Sequence, residues 1–162
     1  MASKNKNALA AKGYQSVHCL KIPLHENSAV LPNAAVAEVI AFSEPAAVDD
    51  APEWFLGYMT WRDLKVPMIS LEAASGDALM SKSGPRIAVL NTLNSNPRVP
   101  YIAILLQGVP SLAQLQPDSV EWNEDKSSEN NSSVAGYIVM GGEAAMIPDI
   151  DDLERRVGSL HV

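Results

Sequence analysis

The feature that most constrains this chain is its punctuation. Short runs rich in β-branched and aromatic residues recur at fairly regular spacing, separated by stretches holding proline, glycine or asparagine. Trp54–Thr60 reads WFLGYMT, and Arg86–Thr92 reads RIAVLNT. Runs of this length suit strands and are too short for packed helices.

Val17–Ile22 is expected as a first strand, followed by a turn region at Pro23–Ser28. Ala29–Phe42 carries helix-forming alanines, but Pro32-Asn33 breaks that pattern, which gives a strand interrupted at Pro32 and a second piece over Val36–Ile40. Ser43–Pro52 is a loop. Trp54–Thr60 and Val66–Leu71 flank a turn at Arg62–Lys65, and Glu72–Pro85 is a long connection. Arg86–Thr92 and Tyr101–Leu106 are strands joined by an Asn/Pro turn. Gly108–Pro117 reads as a bend with short apolar stations, Val120–Trp122 as a short strand and Asn123–Ser133 as a flexible polar loop. Tyr137–Met140 and Ala144–Ile147 make a hairpin around Gly141-Gly142.

One helix is expected, at the C-terminal end. Asp149 suits its N-cap, with Asp152 at the capping-box position. Arg155 and Arg156 lie where the helix dipole favours cations, and Leu153 and Val157 share a face. The class is therefore mainly β, a barrel or sandwich with one short helix.

The length, 162 residues, suits one domain, and 47 % hydrophobic residues suffice for a core. Residues 1–13 are expected to be a flexible tail. The formal charge of −7 argues against nucleic acid and anionic membranes as partners. One cysteine, Cys19, allows no internal disulfide. The N-terminal stretch has no secretory pattern and no segment has the length of a membrane span, so a soluble cytoplasmic protein is expected.

Catalytic patterns are missing from the sequence. His18, His25, His161 and Cys19 have no metal-ligand spacing, and His18 and Cys19 are adjacent, hence on opposite faces of a strand. No metal or cofactor is expected. The acids Asp149, Asp151, Asp152 and Glu154 are explained by helix capping. Asn130-Asn131-Ser132 forms a glycosylation sequon that means nothing without secretion. Trp54, Phe55, Tyr58 and Trp61 read first as core, with exposed binding anchors as the sharper alternative. Arg62, alone beside this aromatic run, is either a solvated turn charge or a group awaiting a partner. A binding or scaffold role follows. The rival from another class is a small hydrolase or ligand-binding barrel using the acids with His18 or His25, which requires them to converge in one cleft.

Three segments resemble the CheW family, the coupling proteins of bacterial chemosensory arrays. Val36-Ala37-Glu38-Val39-Ile40 resembles its V-x-E strand. Gly57–Leu71, GYMTWRDLKVPMISL, is similar to its signature of glycine, an R-G turn, proline and a final D-L. The pair Arg86–Leu90 and Tyr101–Val109 resembles the strands leading to its V-D-x-V element, and Ala135–Leu153 its closing hairpin and helix. The likeness covers roughly residues 15–158, within a single domain at 14–160.

The resemblance implies two small five-stranded SH3-like barrels packed together, with no catalysis. It implies an adaptor between chemoreceptor tips and a CheA-type histidine kinase. By resemblance Val36, Glu38, Val39 and Arg62 face the receptor, and Gly57 corresponds to the kinase-contact glycine. Exposed apolar patches are then expected near Val36 and Val39. The chain departs from the pattern at Asp63, where glycine is usual and where the carboxylate is placed to pair with Arg62. It departs also at Ser70 and Gln107, each where aspartate is usual. These departures resemble a divergent, ChpC-like member of a type IV pilus (twitching) system. They also raise an accessory adaptor that binds receptors or another coupling protein but not the kinase.

Overall fold

The computed structural model describes residues 16–124 and 133–160. The tail at 1–13, His161, the sequon and most of the 123–133 loop lie outside the described residues. The element order is β1 (Val17–Pro23), β2 (Ser28–Pro32), a 3-10 turn (Asn33–Ala35), β3 (Val36–Ala41), β4 (Phe55–Trp61), β5 (Leu64–Ile69), α1 (Leu71–Ala74), β6 (Arg86–Asn91), β7 (Tyr101–Leu106), β8 (Ser111–Leu115), β9 (Val120–Trp122), β10 (Val134–Met140), β11 (Glu143–Pro148) and α2 (Ile150–Gly158).

The strands form two sheets. One has six strands in the order β8-β1-β2-β11-β10-β9, and the other five in the order β3-β6-β7-β5-β4. The middle of the chain builds the five-stranded sheet; both ends build the other. The mainly-β, two-sheet expectation is met, with one strand more than five in the first sheet. That strand is β8, which falls in the segment read as a bend. Its residues are mostly exposed, Leu112 at 76 %, so it shows no buried face for the pattern to reveal.

The five-stranded sheet curls on itself. β3 and β4 are its edges, yet Ala46 and Tyr58 exchange backbone hydrogen bonds of 2.8 and 3.0 Å. The chain leaving β3 therefore reaches the far edge and pairs there. Gly57, with φ +128°, permits this approach: a Cβ at Gly57 would lie 2.2 Å from the Ala46 carbonyl oxygen.

Each sheet wraps a small core. Leu56, Met59, Trp61, Val66, Met68, Ile87, Val89, Ala103 and Leu105 fill the five-stranded one. Cys19, Val30, Ile138 and Ala145 fill the other. A larger core lies between the sheets and is sealed by Ile150, Leu153 and Val157 of α2. Each fully buried Leu or Ile there contributes about 1.5–3 kcal/mol. Asp149 caps α2 by accepting from the Asp152 N–H at 3.0 Å, as expected. The capping box is only half formed, because the Asp152 carboxylate turns away to Ser133 Oγ at 3.0 Å and Arg155 at 3.1 Å.

Other boundaries move. The turn expected at Arg62–Lys65 is two residues long, because Trp61 pairs with Leu64 and Thr60 with Lys65. The strand expected to run through Leu71 stops at Ile69, and Leu71–Ala74 is a single helical turn whose N-cap, Ser70, accepts from Ala73 N–H. Serine and aspartate are both favoured N-caps, so Ser70 keeps the local geometry expected of the usual aspartate.

Candidate protein interface

Three elements meet at one end of the five-stranded sheet. Val36, the start of β3, pairs with Leu90 near the end of β6, and Asn91 pairs with Tyr101 at the start of β7. β5 runs parallel to β7. The 3-10 turn, the β4–β5 turn and the 92–100 connection therefore share that end.

The β4–β5 turn is built from Arg62 (φ 49°) and Asp63 (φ 63°). Positive φ at both central residues is the twist that two-residue hairpins need, usually supplied by Asn-Gly or Gly-Gly. Asp63 thus adopts the left-handed conformation that glycine would, and Arg62 does so as well, at a cost of about 1–2 kcal/mol for each such residue.

Behind the turn, Trp61 is buried at 6 % exposure, packing edge-on to Tyr101 at 4.8 Å between centroids. A buried indole N–H needs an acceptor. Glu38 supplies it: Trp61 Nε1 donates to Glu38 Oε2 at 2.7 Å. The same oxygen accepts from Arg62 at 3.5 Å, and the guanidinium carbon stands 4.6 Å from the Trp61 ring centroid. The Arg62 side chain remains 67 % exposed and that of Glu38 41 %. An exposed pair of this kind is worth about 0–1 kcal/mol, so it orients Arg62 without committing it. Asp63 forms no ion pair with Arg62 among the described residues. On the hairpin's other face, Lys65 lies 4.1 Å from the Tyr58 ring centroid.

A bulge explains how Glu38 arrives there. Val36 faces Leu90 but Glu38 faces Val89, so Ala37 is an extra residue. Directly paired residues share a face. Val36 and Val39 accordingly pack against the core between the sheets, and Glu38 is turned toward the rim of the small core. Val36 and Val39 are themselves half-buried, and the exposed large apolar residues at this end of the sheet are Leu64 and Leu93. Leu64, 41 % exposed beside Arg62, is the exposed apolar residue of this turn.

The structure thus brings Glu38 and Arg62 together, holds Val36 and Val39 on the opposite face of β3, and buries Gly57 beneath Ala46 and Ala47. Trp61 was legible only as core or anchor. It is core with a polar edge, and its indole N–H was the signal that an acceptor had to lie nearby.

The groups of the hydrolase alternative do not converge. His18 is exposed on β1 opposite Gln114. His25 lines a small pocket with Glu26, Asn27, Glu72 and Asp77, while Asp151 and Glu154 line another cleft. Burial pushes the Glu72 carboxyl up, a shift that nearby His25 opposes. Burial also pushes the Cys19 thiol up, away from the reactive thiolate. No cluster of three or more His, Cys, Asp or Glu suited to a metal occurs among the described residues. Among these residues too, no helix is long and apolar enough to cross a membrane.

The family model described as a CheW-like domain matches residues 18–157. The chain belongs to the CheW-like family. Its fold is similar to that of the scaffolding protein TtCheW from Thermoanaerobacter tengcongensis, with a TM-score of 0.69 at 18 % identity over 85 % of this chain and 92 % of that one. No curated protein sequence matches the chain significantly.

Proposed function

We propose that this CheW-like chain is a non-enzymatic cytoplasmic adaptor of bacterial chemosensory signalling, coupling chemoreceptor tips to a CheA-type histidine kinase. The observation that carries this reading is the mounting of Arg62. It is held over Trp61 and steered by Glu38, on a turn strained at both central residues, with its side chain still exposed. A guanidinium fork so placed suits a carboxylate or carbonyl of an incoming receptor helix. Val36 and Val39 then act by fixing β3 beneath Glu38 rather than as anchors.

Gly57 acts through the segment it admits. The kinase contact runs over Ala46–Ala47, and a side chain at Gly57 would displace that segment. The accessory-adaptor reading rests on the altered positions 63, 70 and 107. Asp63 keeps the turn and Ser70 keeps the cap. Gln107 ties the sheets together instead, its N–H donating to Pro23 O at 3.1 Å. Kinase coupling is therefore the better-supported of the two.

The test is titration of the purified chain against a receptor-tip hairpin and, separately, the kinase regulatory domain. Arg62→Glu is expected to lower receptor affinity at least tenfold and to leave kinase affinity unchanged. Binding to the receptor alone would favour the accessory reading; binding to neither would defeat both. Output through type IV pili is the reading that the chain's overall likeness to ChpC-like members suggests. Deletion should abolish twitching and spare swimming.

A further inference from the structure

Glu154 lies on the middle of α2, where a capping role is out of reach, and it is 97 % shielded from solvent, at 3 % exposure. One carboxylate oxygen is fully engaged. Glu154 Oε2 accepts from Leu93 N–H at 3.1 Å, Asn94 N–H at 3.3 Å and Asn94 Nδ2 at 3.1 Å. The other oxygen, Oε1, is buried and is the sole side-chain polar atom so buried without a partner among the described residues. A buried carboxylate oxygen left unpaired is costly, and a hydrogen bond to it from a cation is correspondingly favourable.

Glu154 lines an open cleft of about 530 Å³ between α2 and the 92–100 connection, together with Asn94, Asn96, Asp151, Gly158 and Ser159. Two further features make this cleft electronegative. Asp151 stands at its rim, half-exposed and bonded to Asn94. Gly158 and Ser159 bring the C-terminal, negative end of the α2 dipole to it. Arg155 also lines the cleft, but its guanidinium is turned to Asp152 at 3.1 Å and Asp151 at 3.9 Å. The cleft also opens beside the 92–100 connection, at the end of the sheet that carries the Arg62 turn.

We propose that this cleft receives a basic side chain, arginine or lysine, from a protein partner, with Glu154 Oε1 as its buried acceptor and Asp151 as the rim charge. The cleft is open rather than enclosed, which suits a side chain presented on a protein surface. Charge complementarity selects the cation. Because Oε1 is shielded, the incoming group enters between the connection and α2 and perturbs the two amides that Oε2 holds. The cleft does not depend on Arg62, so this inference stands apart from the receptor reading.

The test is an amide-resolved NMR titration of the full chain with the peptide acetyl-Gly-Arg-Gly-amide. The same peptide with citrulline in place of arginine, a neutral near-isostere, and free spermidine serve as comparisons. Saturable shifts at Leu93 and Asn94 are expected with the arginine peptide and not with the citrulline peptide. Glu154→Gln should weaken binding at least tenfold. Because that variant alters a buried group, Asp151→Asn, at an exposed position, provides a second reading with an expected loss of threefold or more. Equal shifts with citrulline, no saturable shift, or arginine binding indifferent to both variants would overturn the proposal. Shifts with spermidine alone would overturn the assignment to a protein side chain.

Discussion

Two hairpins of this molecule turn in the same way with opposite chemistry. β10 and β11 are joined by Gly141 (φ 58°) and Gly142 (φ 81°), and β4 and β5 by Arg62 (φ 49°) and Asp63 (φ 63°). The first uses the residues for which positive φ is least costly. The second accepts strain at both positions and in return carries a guanidinium, backed by Trp61 and steered by Glu38. The glycine turn also has a steering pair at its base, Lys21 with Glu143, but among the described residues no aromatic ring carries a cation there. Backbone strain of this kind clusters at functional sites, which supports placing the proposed receptor contact at the β4–β5 turn.

The contrast can be broken most forcefully through Trp61. Trp61→Ala removes the largest side chain of the small core and should cost about 3–5 kcal/mol in a denaturant titration. The equivalent change before the glycine turn, Met140→Ala, removes only a half-buried side chain and should cost far less. Equal losses would mean that the two hairpins are supported alike.

The strain itself gives the next effects. Replacing Arg62 and Asp63 together by glycine should raise stability by about 1–2 kcal/mol, read as a higher melting temperature, while receptor binding is lost. Asp63→Gly alone should stabilise by less and leave binding intact. In the other hairpin the sign reverses. A Cβ at Gly141 or Gly142 meets nothing within 4 Å, so Gly142→Ala is governed by φ alone and should destabilise by about 1 kcal/mol.

The smallest effect is electrostatic. The hydrogen bond and charge of Lys21 hold the Glu143 carboxyl below its ordinary value. A group whose folded pKa is depressed contributes stability above its unfolded pKa, and that contribution is lost as pH falls through the folded value. Melting temperature should therefore decline slightly more steeply on acidification in the parent than in Lys21→Met, and the difference should shrink in high salt. A steeper decline in the variant would contradict the pairing.

Much of this was legible in the chain. The interruption at Pro32, the Gly141-Gly142 turn, the Asp149 cap and the shared Leu153–Val157 face each follow from one residue type with a local preference. The separation of His18 from Cys19 follows from strand alternation. What escaped was decided by neighbours distant in sequence. β8 has little buried surface, so no pattern marked it. Glu154 looked like one more helix acid, yet it clamps the loop at Leu93 and Asn94, sixty residues away. The role of Gly57 depends on the Ala46 carbonyl that crosses it.

The sequence by itself determined which segments extend, where they turn and where the one longer helix begins, because φ preferences, side-chain branching and capping act within a few residues. Which face each strand presents was decided only in the tertiary structure. Two bulges, at Ala37 and at Leu56, each insert one residue and reverse the alternation beyond them. A shift of one residue moves a side chain to the other face of a sheet. That shift brings Glu38 to the rim beside Trp61 and Arg62, and only the pairing partners on β6 and β5 record it.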